Sequence, residues 1–485
     1  MELIDFVQTE IANTTFIDSG TNYSDSLKEY LFEVRSKLHT LNPENKLYAE
    51  ILKRLPHDYT TVETGIFNTL KLYHSGNLID SLSTFNSLAE WLNKYYWDDV
   101  QNLDLSEFPN IVNAKPRFYR SRVSSKTTKK DYGAIFHIPF QLREVAAHGR
   151  FNLAGMPCLY LGKSIHACWE ELNRPQLENF LVAKYMISEI DYKIINLADP
   201  PSVNYHNFEF FFFVVVFQAC KFLTEKGTNA SEDIKGIIDC VSTNTGITFK
   251  ESREDLFNKL EETPINAYII NDILIQNGGY NYEKLLDLFY FNIEEEIYPY
   301  FSENDAYLAS MKKAKSMLQT AIAKLVNDII LHPLKSAVSF RVKNYDHPFK
   351  PQYILSQFLM QWLFKKNQQE KTLYGLSYLS SRIPDLSKKS VLDLNLYKNY
   401  VFPSIPQSSG YCSKLVKSFL ISDIVTIDDI LKNEIKHSIN KDGKIYTYGP
   451  RGIPYNETYL YQLEMLLENS NMNDISSLNV DYSSR

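Results

Sequence analysis

Phe118-Tyr119-Arg120-Ser121-Arg122, followed by His148-Gly149-Arg150-Phe151-Asn152-Leu153-Ala154-Gly155 and then Leu159-Tyr160-Leu161, is the stretch on which the fold turns. Side chains alternate along an extended strand, so Arg120 and Arg122 share one face. Two guanidiniums on one face can grip a phosphate bidentately. They can equally lie on a solvated face or pair with acidic neighbours. Gly149 and Gly155 bracket an Arg and an Asn. Glycine lets backbone come close to a ligand, and the same pattern also suits an ordinary turn ahead of a strand. A helix starts near Ser164 and continues through Ile165, Cys168, Trp169 and Leu172. Glu170 and Glu171 fall about 100° apart on it. One of them can turn inward to act as acid, base or cation stabiliser, or both can be solvated.

Outward from this block, short β-prone runs at Arg117–Val123, Pro157–Leu161, Leu181–Tyr185 and Tyr192–Leu197 are separated by Gly, Pro and Asn, a mixed α/β texture. Strand candidates resume at Ala337–Val342, Leu373–Tyr378 and Asn399–Phe402. Helical periodicity dominates elsewhere. Leu78, Leu82, Phe85, Leu88, Leu92 and Tyr95 form one stripe behind a Gly76-Asn77 start signal, and a helix is expected around Leu27–Leu41. Leu308, Met311, Leu318, Ile322, Leu325 and Ile329 mark a long helix expected to stop near His332-Pro333. A further helix covers roughly Pro351–Phe364, and Lys441-Asp442-Gly443-Lys444 reads as a tight turn. The expected organisation is a helical N-terminal domain (1–108), an α/β core in two parts (109–202 and 336–405), a helical insertion (203–335), and a helical C-terminal region with a loose tail (406–485).

The bulk numbers bound the function. A chain of 485 residues suggests about three domain-sized units. Hydrophobic residues at 44% and charged residues at 22% are globular proportions and exclude wholesale disorder. A formal charge of -7 argues against a broad phosphate-neutralising surface and so against nucleic acid as a partner, while leaving room for a local basic pocket. The five cysteines form no CxxC, which fits a reducing compartment. Met1–Asp5 has no secretory pattern, and the apolar run Phe210–Phe217 is too short to span a bilayer, so the cytoplasm is expected and no membrane. The ten histidines show no HxxxH or HExxH grouping, so no metal site is expected. Tyr374-Gly375-Leu376-Ser377-Tyr378-Leu379-Ser380-Ser381-Arg382 lies at a strand end without a GxSxG elbow, which argues against an acyl-transfer serine.

Taken in order, Tyr119-Arg120, Gly149–Gly155, Leu159-Tyr160, Glu171 and Tyr378–Arg382 resemble the RES domain family, named for its Arg, Glu and Ser positions. The resemblance covers Arg117–Pro201 and about Ser336–Pro403. It departs from the family in the long segment, from about Val203 to Ser336, that separates the Glu and Ser positions. It implies an α+β fold, an ADP-ribosyltransferase-like split β-sheet with NAD in its cleft. It also implies NAD as substrate rather than cofactor, cut at the nicotinamide–ribose bond by water or inorganic phosphate. The Arg, Glu and Ser positions carry over to Arg120, Glu171 (or Glu170) and Ser380 (or Ser381), with Tyr119, Arg150, Asn152 and Tyr160 as substrate-binding residues. A toxin role with an inhibitor or antitoxin protein, in toxin–antitoxin or anti-phage defence, is the family expectation, and homo-oligomerisation is compatible with the helical flanks. Two other readings keep the same residues: transfer of ADP-ribose to a macromolecule, and a binding protein with an inactive pocket.

Overall fold

A computed structural model of the chain describes residues 3–12, 22–42, 46–97, 117–123, 131–198, 306–338, 349–380, 396–408, 410–426, 455 and 458–475. Residues 203–305 of the expected insertion, with the run Phe210–Phe217 inside them, the turn at 441–444, and Ser381 and Arg382 lie outside the described residues. Two compact units emerge. One comprises Met1–Thr14, Phe32–Thr61 and Pro200–His332; the other comprises Thr15–Leu31, Val62–Asp199 and Pro333–Arg485. Within the first, Tyr59 and His332 are hydrogen-bonded at 3.2 Å and Lys37 pairs with Glu10 at 2.9 Å.

The second unit holds the sheet. Its strands are β1 (Arg117–Val123), β2 (Cys158–Gly162), β3 (Phe180–Ile187), β4 (Tyr192–Asn196), β5 (Leu373–Leu379), β6 (Lys398–Pro403), β7 (Phe419–Ser422) and β8 (Met472–Asp474), in the order β4-β5-β6-β2-β1-β3-β7-β8. β4 and β5 are parallel; the other neighbours are antiparallel, so the fold is α+β with a mixed sheet. Pairing is uneven. β1 matches β3 along seven residues and β2 matches β6 along five, yet β1 and β2 share only Tyr119↔Gly162. The β1–β2 pairing is thus the shortest in the eight-stranded sheet, with four strands on either side of it.

Alternation sorts the side chains as the strand period requires. Phe118 and the β3 residues Leu181, Ala183 and Tyr185 join one core with Phe136, Leu159 and Phe402. Tyr119, Phe180 and Val182 join another, against Ile165 and Trp169 and the apolar side of a C-terminal helix: Leu460, Leu463 and Leu467.

The helices used below are α1 (Leu78–Leu92), α2 (Ile165–Glu171), α3 (Ala306–Val338), α4 (Tyr353–Gln369), α5 (Ser413–Ser418) and α6 (Tyr459–Glu468). The Asn77 side chain caps α1 by accepting from the Asp80 amide, as the start signal foretold. α4 packs on α1: Trp362 Nε1 donates to Glu90 at 2.9 Å, and Lys366 pairs with the same carboxylate at 3.0 Å.

Two sequence expectations need correction. α3 does not stop at His332 but continues through Pro333 to Val338, so Ala337 and Val338, expected to open a strand, are helical, and 339–342 lie outside the described residues. An internal proline costs about 3 kcal/mol. Full burial of Leu334, Ala337 and Val338, and a 2.6 Å bond from the Tyr23 hydroxyl to the Ala337 carbonyl, offset it. The region after 406 is not purely helical either. It supplies β7 and β8, which extend the β3 edge of the sheet.

Candidate functional site

A cleft of about 580 Å³ opens beside the short β1–β2 pairing, lined by Arg120, Arg122, Gly149, Arg150, Asn152, Tyr160, Glu171, Tyr353, Tyr378 and Asn399 among others. That is within the range of roughly 300–1,000 Å³ typical of small-molecule sites. Residues from both halves of the sheet and from α2 meet here, although their positions span almost 280 residues of chain (Arg120 to Asn399, 399 − 120 = 279).

The cationic wall follows directly from that short pairing. Beside the single β1–β2 register pair, the Arg120 guanidinium reaches across and donates to the Tyr160 carbonyl at 2.5 Å, with a longer bond to the Phe136 carbonyl at 3.3 Å. Arg122, on the same face, donates to the Phe136 carbonyl at 2.9 Å. Arg120 Nε is shut off from solvent and meets no acceptor. Burial first, and repulsion by Arg122 second, pull the Arg120 pKa down to about 10, so it is still cationic at neutral pH.

Gly149–Asn152 is a tight turn closed by a 3.1 Å bond from the Gly149 amide to the Asn152 carbonyl. A Cβ at Gly149 would lie 2.3 Å from Asn152 Oδ1, so glycine is demanded by close approach. Asn152 Oδ1 accepts from the Tyr160 hydroxyl at 2.7 Å, and its amide donates to the Ala147 carbonyl at 2.5 Å. α4 clamps the same turn: Ser356 Oγ donates to the Arg150 carbonyl at 2.7 Å and Gln357 to the Gly149 carbonyl at 3.1 Å. Arg150 thus projects from a turn held on both sides.

The anionic wall is Glu171, in the last turn of α2. Asn399, buried on β6, donates to its Oε1 at 2.8 Å. Glu170 is engaged elsewhere: it is buried and paired with Arg174 Nε at 3.0 Å. This separates the two glutamates that periodicity left equivalent. An i,i+4 Glu–Arg pair is a legible signal, and Arg174 stands four residues after Glu170. Tyr160 and Tyr378 stand between the charged walls. Burial above all, with the Glu171 charge adding, holds both hydroxyls well above the ordinary phenol range, so they remain donors. Burial likewise pushes the Cys158 and Cys168 thiols up to about 12, so neither offers a thiolate at neutral pH.

Two expected site residues are placed elsewhere. Tyr119 lies on the opposite face of β1 from Arg120, as alternation dictates, and its hydroxyl donates to Glu468 at 3.2 Å. Ser380, just past β5, is 1% exposed and is not among the cleft-lining residues; its amide donates to the Tyr397 carbonyl. Among the lining residues that sequence did not single out as site residues are Asn399, Tyr353 and Tyr378. Tyr378 belonged to a quoted motif, but nothing in the spacing marks Asn399 or Tyr353. Among the described residues, no group of three or more His, Cys, Asp or Glu side chains is placed to hold a metal ion, and no helix is long and apolar enough to cross a membrane.

Over 394 residues, 78% of its length, the chain is 27% identical to a Bacillus subtilis (strain 168) protein named "Putative toxin YopC". The match spans 63% of that protein's length. No family model matches the chain, and no solved structure matches it.

Proposed function

We propose that the cleft binds NAD and cleaves its nicotinamide–ribose bond, as the resemblance to RES domains and their ADP-ribosyltransferase-like split sheet implies. The observation that carries this reading is that Arg120, Arg150 and the amide-held Glu171 carboxylate line one cleft beside the short β1–β2 pairing. Arg120 and Arg150, which line the cleft, suit the pyrophosphate, since guanidinium forks match phosphate oxygens. Tyr160 and Tyr378 supply walls for the nicotinamide riboside. Glu171 faces the ribose, where its charge stabilises the oxocarbenium-like transition state. Asn399 fixes that carboxylate in advance, so little reorganisation is needed when positive charge develops.

The bond between the anomeric carbon and the pyridinium nitrogen breaks, and its electron pair stays on nitrogen, giving neutral nicotinamide. No acid is needed for this leaving group. A water oxygen bonds to the anomeric carbon and loses its proton to solvent, leaving ADP-ribose; with inorganic phosphate as acceptor the product is the 1″-phosphate. Unbalanced by an inhibitor, such turnover would drain a cell's NAD, which suits similarity to a protein named as a toxin and makes an inhibitory partner part of the proposal. Incubation of the purified chain with NAD, with and without phosphate, followed by mass spectrometry, tests it. Nicotinamide with ADP-ribose or its phosphate is expected. Intact NAD after prolonged incubation overturns it, and label retained on a macromolecule would redirect it to transfer.

A further inference from the structure

α2 is only seven residues long, and a helix that short is stable only when its ends and its apolar side are held by the rest of the fold. Glu171 sits at its C-terminal end. The N-terminal end has free amides that need acceptors. Ser164 meets the Ala167 amide at 3.0 Å, an ordinary local cap. The Ile165 amide is met from almost 300 residues away: it donates to Glu464 Oε1, on α6, at 2.6 Å. The same oxygen accepts from the Tyr455 hydroxyl at 2.6 Å, and that hydroxyl lies within hydrogen-bonding reach of the His166 backbone. Each of the first three amides of α2 therefore has a partner, and Glu464 holds one directly and a second through Tyr455.

We propose that Glu464 is a positioning residue for Glu171, anchoring from the C-terminal helix the opposite end of the short helix that carries it. Ends of a seven-residue helix lie about 9 Å apart, less than two turns, so tilt at one end is displacement at the other. The apolar contact of Ile165 and Trp169 with Leu460 and Leu463 keeps α2 against α6, and the Cys168 thiol holds its middle by donating to the Tyr119 carbonyl at 3.2 Å. The Glu464 bond supplies direction. At the far end the Asn399 amide reaches Glu171 Oε1 at 2.8 Å, a contact that requires α2 to present the carboxylate at that point.

The inference rests on the NAD-cleavage reading for its kinetic arm only; amide hydrogen exchange tests the anchoring without it. In Glu464→Ala, protection of the 165–171 amides is expected to fall about tenfold or more while β3 amides keep theirs, and kcat for NAD to fall about tenfold or more with KM within about threefold. Glu464→Gln keeps a carbonyl able to accept from both Ile165 and Tyr455, and is expected to restore both readouts. Should Glu464→Ala fail to fold, Tyr455→Phe removes the bridging hydroxyl while preserving the ring, and a smaller loss in both readouts is expected. Unchanged 165–171 protection, or a loss confined to KM, overturns the proposal. If the wild-type chain cleaves no NAD, the cleavage reading falls and the exchange arm alone decides the anchoring.

Discussion

On one face of β1, Arg117 and Tyr119 both end on the Glu468 carboxylate, and Lys184 from β3 donates to the Glu468 carbonyl at 3.1 Å. On the other face, Arg120 and Arg122 end on the carbonyl oxygens of Tyr160 and Phe136, they repel each other, and one guanidinium N–H has no acceptor. The same strand thus carries arginines in two electrostatic states. A buried donor left unmet costs about 1–3 kcal/mol, and a fold that neutralises Arg117 with a carboxylate has the means to neutralise Arg120 too. Arg117 is answered by a carboxylate within the fold, whereas Arg120 and Arg122 line the cleft and are answered only by carbonyl oxygens, which is the setting that the proposed anionic ligand requires.

The first test is at the two glutamates of α2: Glu170 pairs with Arg174, and Glu171 lines the cleft with the Asn399 amide on its Oε1. Glu171→Ala is expected to lower kcat for NAD cleavage at least about a hundredfold, the scale of losing one preorganised charge-stabilising group. Glu170→Gln is expected to stay within a few fold of wild type. Equal turnover of wild type and Glu171→Ala in a steady-state NAD consumption assay would erase the distinction.

The closed face predicts a pH effect on stability. Burial pushes the Glu464 carboxyl up to about 7 from an ordinary 4.5. Between those values the folded chain holds a proton that the unfolded chain has released. Its stabilising contribution is therefore complete below about pH 4.5 and is lost as pH rises through about 7. Glutamine does not titrate. Glu464→Gln should match wild type near pH 4 and exceed it at pH 8 by up to about 3 kcal/mol, read from urea unfolding at both pH values. A gap that does not change with pH would mean the carboxyl is not desolvated as its packing indicates.

How much of this was legible from residues alone follows from range. β1 to β6 are aromatic and β-branched runs bounded by Gly, Pro and Asn, and their sequence bounds agree with the structure to within two residues. β7 is four residues directly after α5, and β8 is the polar edge triplet Met472-Asn473-Asp474; neither is long enough to show a period. Arg120, Arg150, Asn152, Tyr160 and Glu171 stood in the ordered motif that carries the family resemblance. Asn399 meets Glu171 across 228 positions and Glu464 meets Ile165 across 299, and no local rule connects residues that far apart. Tyr119 was included with Arg120 by adjacency, whereas adjacency on a strand means opposite faces.

The finest test sets Arg120 against Arg117, two arginines three residues apart on β1. Arg120→Ala removes a charge-assisted donor to the proposed pyrophosphate, a loss of about 1.5–3 kcal/mol in binding, and should raise KM for NAD roughly tenfold or more with a smaller effect on kcat. Arg117 is also ion-paired, but it is 44% exposed and its partner Glu468 is 24% exposed. Solvent screens that pair, so Arg117→Ala should lower stability by less than about 1 kcal/mol and leave KM unchanged. Both variants remove one positive charge from the same strand, so a general electrostatic attraction of NAD to the protein would affect them alike. A KM shift of similar size in the two would assign the effect to net charge; a shift confined to Arg120→Ala assigns it to the side of the strand on which the charge was left open.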